Sequence, residues 1–571
     1  MKRIALSFII FHLSFSPAGA QRLDWGDQQN GTYKNPVLNA DYSDPDVIRV
    51  GDKYYMVASD FHFMGMQVLE SNDLVNWQIV SQIYDRLDLP GWDQNAHYGG
   101  GSWAPAIRHH DGRFYVYFCT PDEGLFMSTA TDAHGPWTAL HCVKAVPKWE
   151  DPCPFWDDDG QAYLGRSQYG AGPIIIHRMS TDGRTLLDDG VTVYTGPVAE
   201  GTKFLKRGGY YYLIIPEGGV CCGWQTVLRS RSIYGPYEKR VVLEQGSTDV
   251  NGPHQGALVD TPDGTWWFFH FQETHPRGRV VHLQPALWTA DGWLLIGIDI
   301  DGNGIGEPVE TWAAPAPSNL PQLGEASKVT SATESGAATS PQLGGLRGAG
   351  GLRGTEGLGD DSFSADRLYW AGQQQRALGL EWQWCHNPVD SAWSLTERRG
   401  WLALHALPSP TLRQCRNMLT QKTVGYTSEA TTRLDASALR NGDHAGLLCM
   451  GNRFMGIGVR REARHLIIYI EHDGQRTTIA TCRKKTVYLR ATIDSRSNQH
   501  QLSYSTDGHH FTPAGEPYAL RMGSWKGSRV GLYCYHAVDQ AQETAGTVST
   551  PKATAPTGSA YFDFFHYDIH S

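Results

Sequence analysis

Short apolar runs broken by tight polar turns fill the chain from Asn35 to about residue 300. The first unit reads Asp44-Pro45-Asp46, the run Val47-Ile48-Arg49-Val50, the turn Gly51-Asp52, and the run Tyr54-Tyr55-Met56-Val57. Runs this short, rich in β-branched and aromatic residues around a Gly-Asp turn, predict a strand, a hairpin and a second strand. Pro45 stiffens the turn that carries Asp44, because proline fixes its own φ and restricts the residue before it.

The same grammar returns four times. The later copies open at Trp103 in Gly101-Ser102-Trp103-Ala104-Pro105, Asp151 in Glu150-Asp151-Pro152, Glu200 in Ala199-Glu200-Gly201-Thr202, and His254 in Gly252-Pro253-His254-Gln255. Starts spaced roughly 50 residues apart predict a propeller with one four-stranded sheet per blade. Five copies predict five blades. The first strand of each blade lines the central channel, so Asp44, Trp103, Asp151, Glu200 and His254 are expected to converge on one spot. Gly135-Pro136-Trp137 and Gly235-Pro236-Tyr237 are expected to close outer strands of blades two and four.

From residue 313 to 360 the pattern gives way to Gly, Ala, Ser and Pro, with Pro-Gln-Leu-Gly at 321 and again at 341. That composition is a low-complexity linker, too poor in apolar residues to pack. Alternating strands return over 361–571, predicting a second all-β domain, a sandwich, with a second insert from Gln540 to Ser559. Residues 1–20 carry a basic start, an apolar run from Ile4 to Phe15 and Ala18-Gly19-Ala20. They form a secretory signal, too short for a membrane anchor. The catalytic propeller is therefore expected over 21–312, in a protein exported to the periplasm or outside the cell.

Net charge is −10 over 571 residues, which points away from nucleic acid and anionic membranes. The 19 Trp and 26 Tyr suit the flat platforms on which sugar faces stack. Ten cysteines without metal-ligand spacing form no disulfide scaffold. The adjacent Cys221 and Cys222 are expected to be two unlinked thiols beside a loop.

A single Asp at a strand start is ordinarily a turn residue. Three carboxyls at equivalent positions of a repeat suit hydrolysis of a glycosidic bond. One protonates the leaving oxygen and one deprotonates water on the opposite face. The third, beside the acid, would raise its pKa by like-charge repulsion. Asn35-Pro36-Val37-Leu38 before Tyr42-Ser43-Asp44-Pro45, together with Glu150-Asp151-Pro152 and Ala199-Glu200-Gly201-Thr202, resembles glycoside hydrolase family 43, in its β-xylosidase and α-L-arabinofuranosidase members. The resemblance spans nearly the whole chain outside the two inserts.

The resemblance implies Asp44 as general base, Glu200 as general acid, and Asp151 as the residue that tunes and orients the acid. It implies a sugar pocket lined by Phe61 and Trp103, with Arg279 on a sugar hydroxyl. His254 is implied on the channel axis, in some members contacting a central calcium through water. It also implies a C-terminal concanavalin-like sandwich, seen in Leu378-Gly379-Leu380-Glu381-Trp382-Gln383-Trp384 and Gly442-Asp443-His444-Ala445-Gly446. Such an enzyme removes terminal xylose or arabinofuranose from plant cell-wall oligosaccharides by inversion. The working carboxyls then stand roughly 6.5–9.5 Å apart. It requires no cofactor.

One departure stands out: Gly201-Thr202-Lys203 follows Glu200 where the family commonly has Gly-Pro-His. A propeller that only binds carbohydrate is the alternative of another class, and the three retained carboxyls argue against it. Asp299-Ile300-Asp301-Gly302-Asn303-Gly304 fits a calcium-loop pattern but lacks flanking helices, so it is expected to be a turn.

Overall fold

The computed structural model describes residues 25–94, 96–317, 378–538 and 557–570, with 361–362 as backbone. The expected secretory signal, most of the linker and the insert before the last strand lie outside the described residues.

Five four-stranded antiparallel sheets follow one another in chain order, as the repeat predicts. Blade one is Ser43–Val50, Lys53–Ser59, Gln67–Ser71 and Trp77–Gln82. The inner strands of the other blades are Trp103–His110, Trp149–Trp156, Lys203–Arg207 and His254–Asp260. Blade one packs its inner strand against those of both blade two and blade five, which makes the ring. Gly135-Pro136-Trp137 and Gly235-Pro236-Tyr237 lie between the third and fourth strands of blades two and four, as expected.

The ring is closed by the stretch before blade one. Leu38 and Val281 exchange backbone hydrogen bonds of 3.2 and 3.1 Å. The Asn35 amide donates to the carbonyls of Leu283 and Val309, each at 2.8 Å, and its Oδ1 accepts from Leu283 N at 2.9 Å. The Asn-Pro-Val-Leu motif therefore latches the first blade to the last.

A bulge recurs at the channel mouth. Register slips between Ser43 and Asp46, Trp103 and Ala106, Glu150 and Cys153, and His254 and Gly256. Asp44, Ala104 and Asp151 sit there at φ of 54°, 40° and 56°. A non-glycine residue at positive φ is uncommon, and a bulge is a device for re-aiming a side chain.

The C-terminal part forms two eight-stranded sheets. Thr427–Asp435 alternates half-exposed and buried residues, as one face of a sandwich requires. The final strand, Ser559–His570, lies between Leu402–His405 and Thr427–Asp435. Arg529–Ala537, the described strand before it in the chain, lies in the opposite sheet.

Propeller and sandwich meet over a buried ionic cluster. Asp60 is fully buried, 2.6 Å from Lys422 Nζ, 3.6 Å from Arg529 Nη2 and 3.9 Å from Lys526 Nζ. Lys526 also pairs with Asp41 at 2.6 Å and donates to Ser59 O at 2.9 Å. Burial alone pushes both carboxyls up, but the lysines around them, with Arg529 beside Asp60, outweigh it and hold both below the usual carboxylate range.

Candidate active site

The bulged strand starts open into one cavity of about 370 Å³, within the range of small-molecule sites. Asp44, Phe61, Trp103, Asp151, Glu200, His254 and Arg279 all line it. Convergence thus holds for every residue picked out of the repeat.

Asp44 is held from two sides. Its Oδ2 accepts from Ser59 Oγ at 2.6 Å, and its Oδ1 lies 3.0 Å from Arg279 Nη1. Arg279 is buried rather than on the surface. Its Nε pairs with Glu273 at 3.3 Å, and its backbone N donates to Asp41 at 2.9 Å. The carboxylate therefore has one fixed orientation toward the cavity.

Across the cavity, carboxyl oxygens of Glu150, Asp151 and Glu200 lie within 4.8 Å of one another. Asp151 Oδ2 accepts from Ser167 Oγ at 2.6 Å and from Gly201 N at 2.9 Å. Its Oδ1 accepts from Gln255 Nε2 at 2.9 Å. The Gly201 contact fixes the backbone beside Glu200. Gly201 has φ of 63°, and a Cβ there would stand 2.7 Å from Pro216 Cδ, so glycine is required for Glu200 to hang into the cavity.

Burial and the neighbouring Glu200 push Asp151 up to about 6. Glu150, whose Oε1 accepts from Ala171 N at 3.0 Å, is pushed up to about 9 by burial, Asp151 and Glu200. No cation balances Glu150 and Asp151 among the described residues, so burial and their like-charged neighbours raise both, and Glu150 keeps its proton at neutral pH. Glu200 is the most open of the three, its side chain 18% exposed, and its Oε1 stands 3.0 Å from His254 Nε2 without hydrogen-bonding alignment.

Phe61, Trp103 and Tyr169 form an aromatic wall, with ring centroids 6.0 Å apart for Phe61–Trp103 and 5.6 Å for Trp103–Tyr169. Trp525, from the sandwich, faces the same cavity across Arg279. Trp525 was not predicted from the sequence, because nothing local ties a C-terminal loop to the channel. Ser59 and Ser167 were not singled out either, although the repeat carries a signal for them: each ends or nearly ends the second strand of its blade and bonds that blade's aspartate.

Two loop expectations resolve differently. Cys221 and Cys222 are joined as a disulfide, which corrects the expectation of unlinked thiols. The turn that Gly223 N closes onto Gly219 O, at 2.8 Å, leaves both side chains together on the exposed rim beside Val220, a cavity residue. Asp299 accepts from the backbone N of Gly302, Asn303 and Gly304, so that loop is the expected turn.

A five-bladed propeller that gathers carboxyls from three blades beside an aromatic wall has the architecture of a glycoside hydrolase. Residues 33–294 match the model of glycosyl hydrolases family 43, and residues 374–568 that of the β-xylosidase C-terminal concanavalin A-like domain. The chain is 58% identical over 507 residues to a protein of Xylanibacter ruminicola provisionally named a β-xylosidase, covering 89% of this chain and 87% of that one. It is 33% identical to a β-xylosidase of Formosa agariphila, covering 92% and 91% of the two chains. The crystal structure of a xylan β-1,4-xylosidase from Bacillus halodurans matches with a TM-score of 0.72 at 25% identity, covering 94% of this chain and all of that one. The chain belongs to glycosyl hydrolases family 43.

Proposed function

We propose that the protein removes terminal β-D-xylose from xylan-type oligosaccharides by a single inverting displacement. Glu200 gives its proton to the glycosidic oxygen as that bond breaks. Asp44 takes a proton from the water that attacks the anomeric carbon from the opposite face. Asp151 orients the acid by accepting from Gly201 N, the residue after Glu200. The observation that carries this is the asymmetry of the cavity: a carboxylate paired with Arg279 on one side, three carboxyls within 4.8 Å of one another on the other.

Trp525 supports exo-action, since the sandwich walls the cavity and leaves room for a chain end. The names of the relatives favour xylose. α-L-Arabinofuranose is the second reading, because a relative from Bacteroides ovatus, 30% identical over 397 residues, is named a non-reducing end α-L-arabinofuranosidase. Export to the periplasm or beyond suits the disulfide, which needs an oxidising compartment.

The test is hydrolysis of p-nitrophenyl β-D-xylopyranoside, p-nitrophenyl α-L-arabinofuranoside and xylobiose by the wild type and by Glu200→Ala. Turnover of the xyloside, lost less in Glu200→Ala than turnover of xylobiose, is expected, because nitrophenolate leaves with little protonation. Silence on both pentosides from folded protein would overturn the proposal.

A further inference from the structure

Lys203 opens the inner strand of blade four, three residues beyond Glu200, within the Gly-Thr-Lys departure. It is 3% exposed, and its Nζ has no hydrogen-bond partner in the protein. The nearest anion is Asp46 Oδ1, 3.6 Å away. Asp46 is 1% exposed and lies two residues beyond Asp44 on the inner strand of blade one. Its other oxygen, Oδ2, already accepts from Ile107 N at 2.8 Å and from Arg108 Nη1 at 2.6 Å.

A buried ammonium persists only when an opposite charge balances it. At 3.6 Å the contact is longer than a direct hydrogen bond, so the attraction is coulombic and acts between two blades. A divalent cation on this axis would need an anionic oxygen free to bind it. Asp46 offers none: one oxygen is taken by blade two and the other faces an ammonium, which would repel the incoming ion. The residues present do not fit a calcium ion at this place.

We propose that Lys203 is the fixed cation of the propeller axis, standing in for a metal and tying the strand of Asp44 to the strand that follows Glu200. It is a positioning residue and touches no reacting atom. The role rests on the assignment of Asp44 and Glu200 above, but the metal independence does not.

Thermal melts of the full-length protein in EDTA and in millimolar calcium chloride test it, beside kcat and KM on the aryl xyloside. The wild type is expected to show the same Tm and kcat in both. Lys203→Ala is expected to lose roughly 5 °C in Tm, to lose kcat with little change in KM, and to regain part of its Tm in calcium, which then reaches the freed Asp46. A wild-type Tm that falls in EDTA and returns with calcium would overturn the proposal, whether or not the variant folds. So would a Lys203→Ala melt that calcium leaves unmoved. Failure of the xylosidase assignment would look different: no turnover of either pentoside, with both melting comparisons still readable.

Discussion

At the junction of propeller and sandwich, Asp41 and Asp60 are buried against Lys422, Lys526 and Arg529. At the channel mouth, Glu150 and Asp151 are buried against Glu200. Both places remove carboxyls from water, and the cost of doing so is the same in kind. They differ in what comes to meet the charge. The junction brings three cations from a second domain, so its carboxyls stay ionised and hold the domains together. The channel mouth brings another carboxyl from the next blade, so its members compete for protons. The first arrangement serves stability, and the second, in the proposed mechanism, serves proton transfer.

The comparison breaks most visibly on activity. Glu200→Gln or Asp44→Asn is expected to lower kcat on xylobiose by about 10⁴-fold. Glu200→Gln should leave Tm unchanged or slightly higher, because a repulsion has been removed. Steady-state kinetics and a melt on one preparation read both. Ordinary turnover by Asp44→Asn would end its role as base.

Lys422→Met should do the reverse. It leaves Asp60 buried with fewer cations and is expected to cost about 3–5 kcal/mol of stability. Denaturant unfolding checks this, and an unchanged midpoint would mean that the cluster is not holding the junction. Any folded fraction should keep its KM for the aryl xyloside, since Lys422 does not line the cavity.

The two clusters should also respond to pH with opposite sign. Glu150 and Asp151 have folded values near 9 and 6, above their ordinary 4.5 and 3.8. Their contribution favours the fold at low pH and is lost as pH rises through those folded values. The Tm of Glu150→Gln relative to wild type should therefore climb between pH 5 and about 9. Asp60 lies below its ordinary 3.8, so its contribution is present above that value and lost as pH falls through the folded one. The Tm deficit of Asp60→Asn should accordingly shrink in acid. Parallel rather than opposed pH trends would remove the distinction.

The smallest effect is expected where the two regions meet. Trp525→Ala removes the sandwich's wall from the cavity and should lower kcat/KM for xylobiose about tenfold, a loss of about 1.4 kcal/mol. An unchanged kcat/KM would mean that the sandwich takes no part in substrate binding.

Much of the propeller was legible in the chain because its period is local. A turn, a run, a tight turn and a run can be recognised without knowing what they pack against, and the residue opening each copy marks the channel. Glu150 was visible in its motif but not as a member of the trio, since burial and the 4.8 Å spacing follow from the bulge at Asp151. Lys203 was visible only as a departure. That it is buried opposite Asp46 depends on how blade four meets blade one.

The sequence by itself determined the five-fold repeat, the three carboxyl-bearing strand starts and the second β domain, because strand alternation, turn residues and repeat spacing are short-range properties. Only the tertiary structure decided which carboxyls are compensated. Lys526 reaches Ser59 across 467 residues of chain, and Trp525 arrives at the cavity with it. No local pattern encodes such a meeting, and the sign of each buried carboxyl's shift depends on it, because a charge in a protein interior is set by whatever the fold places within a few ångströms.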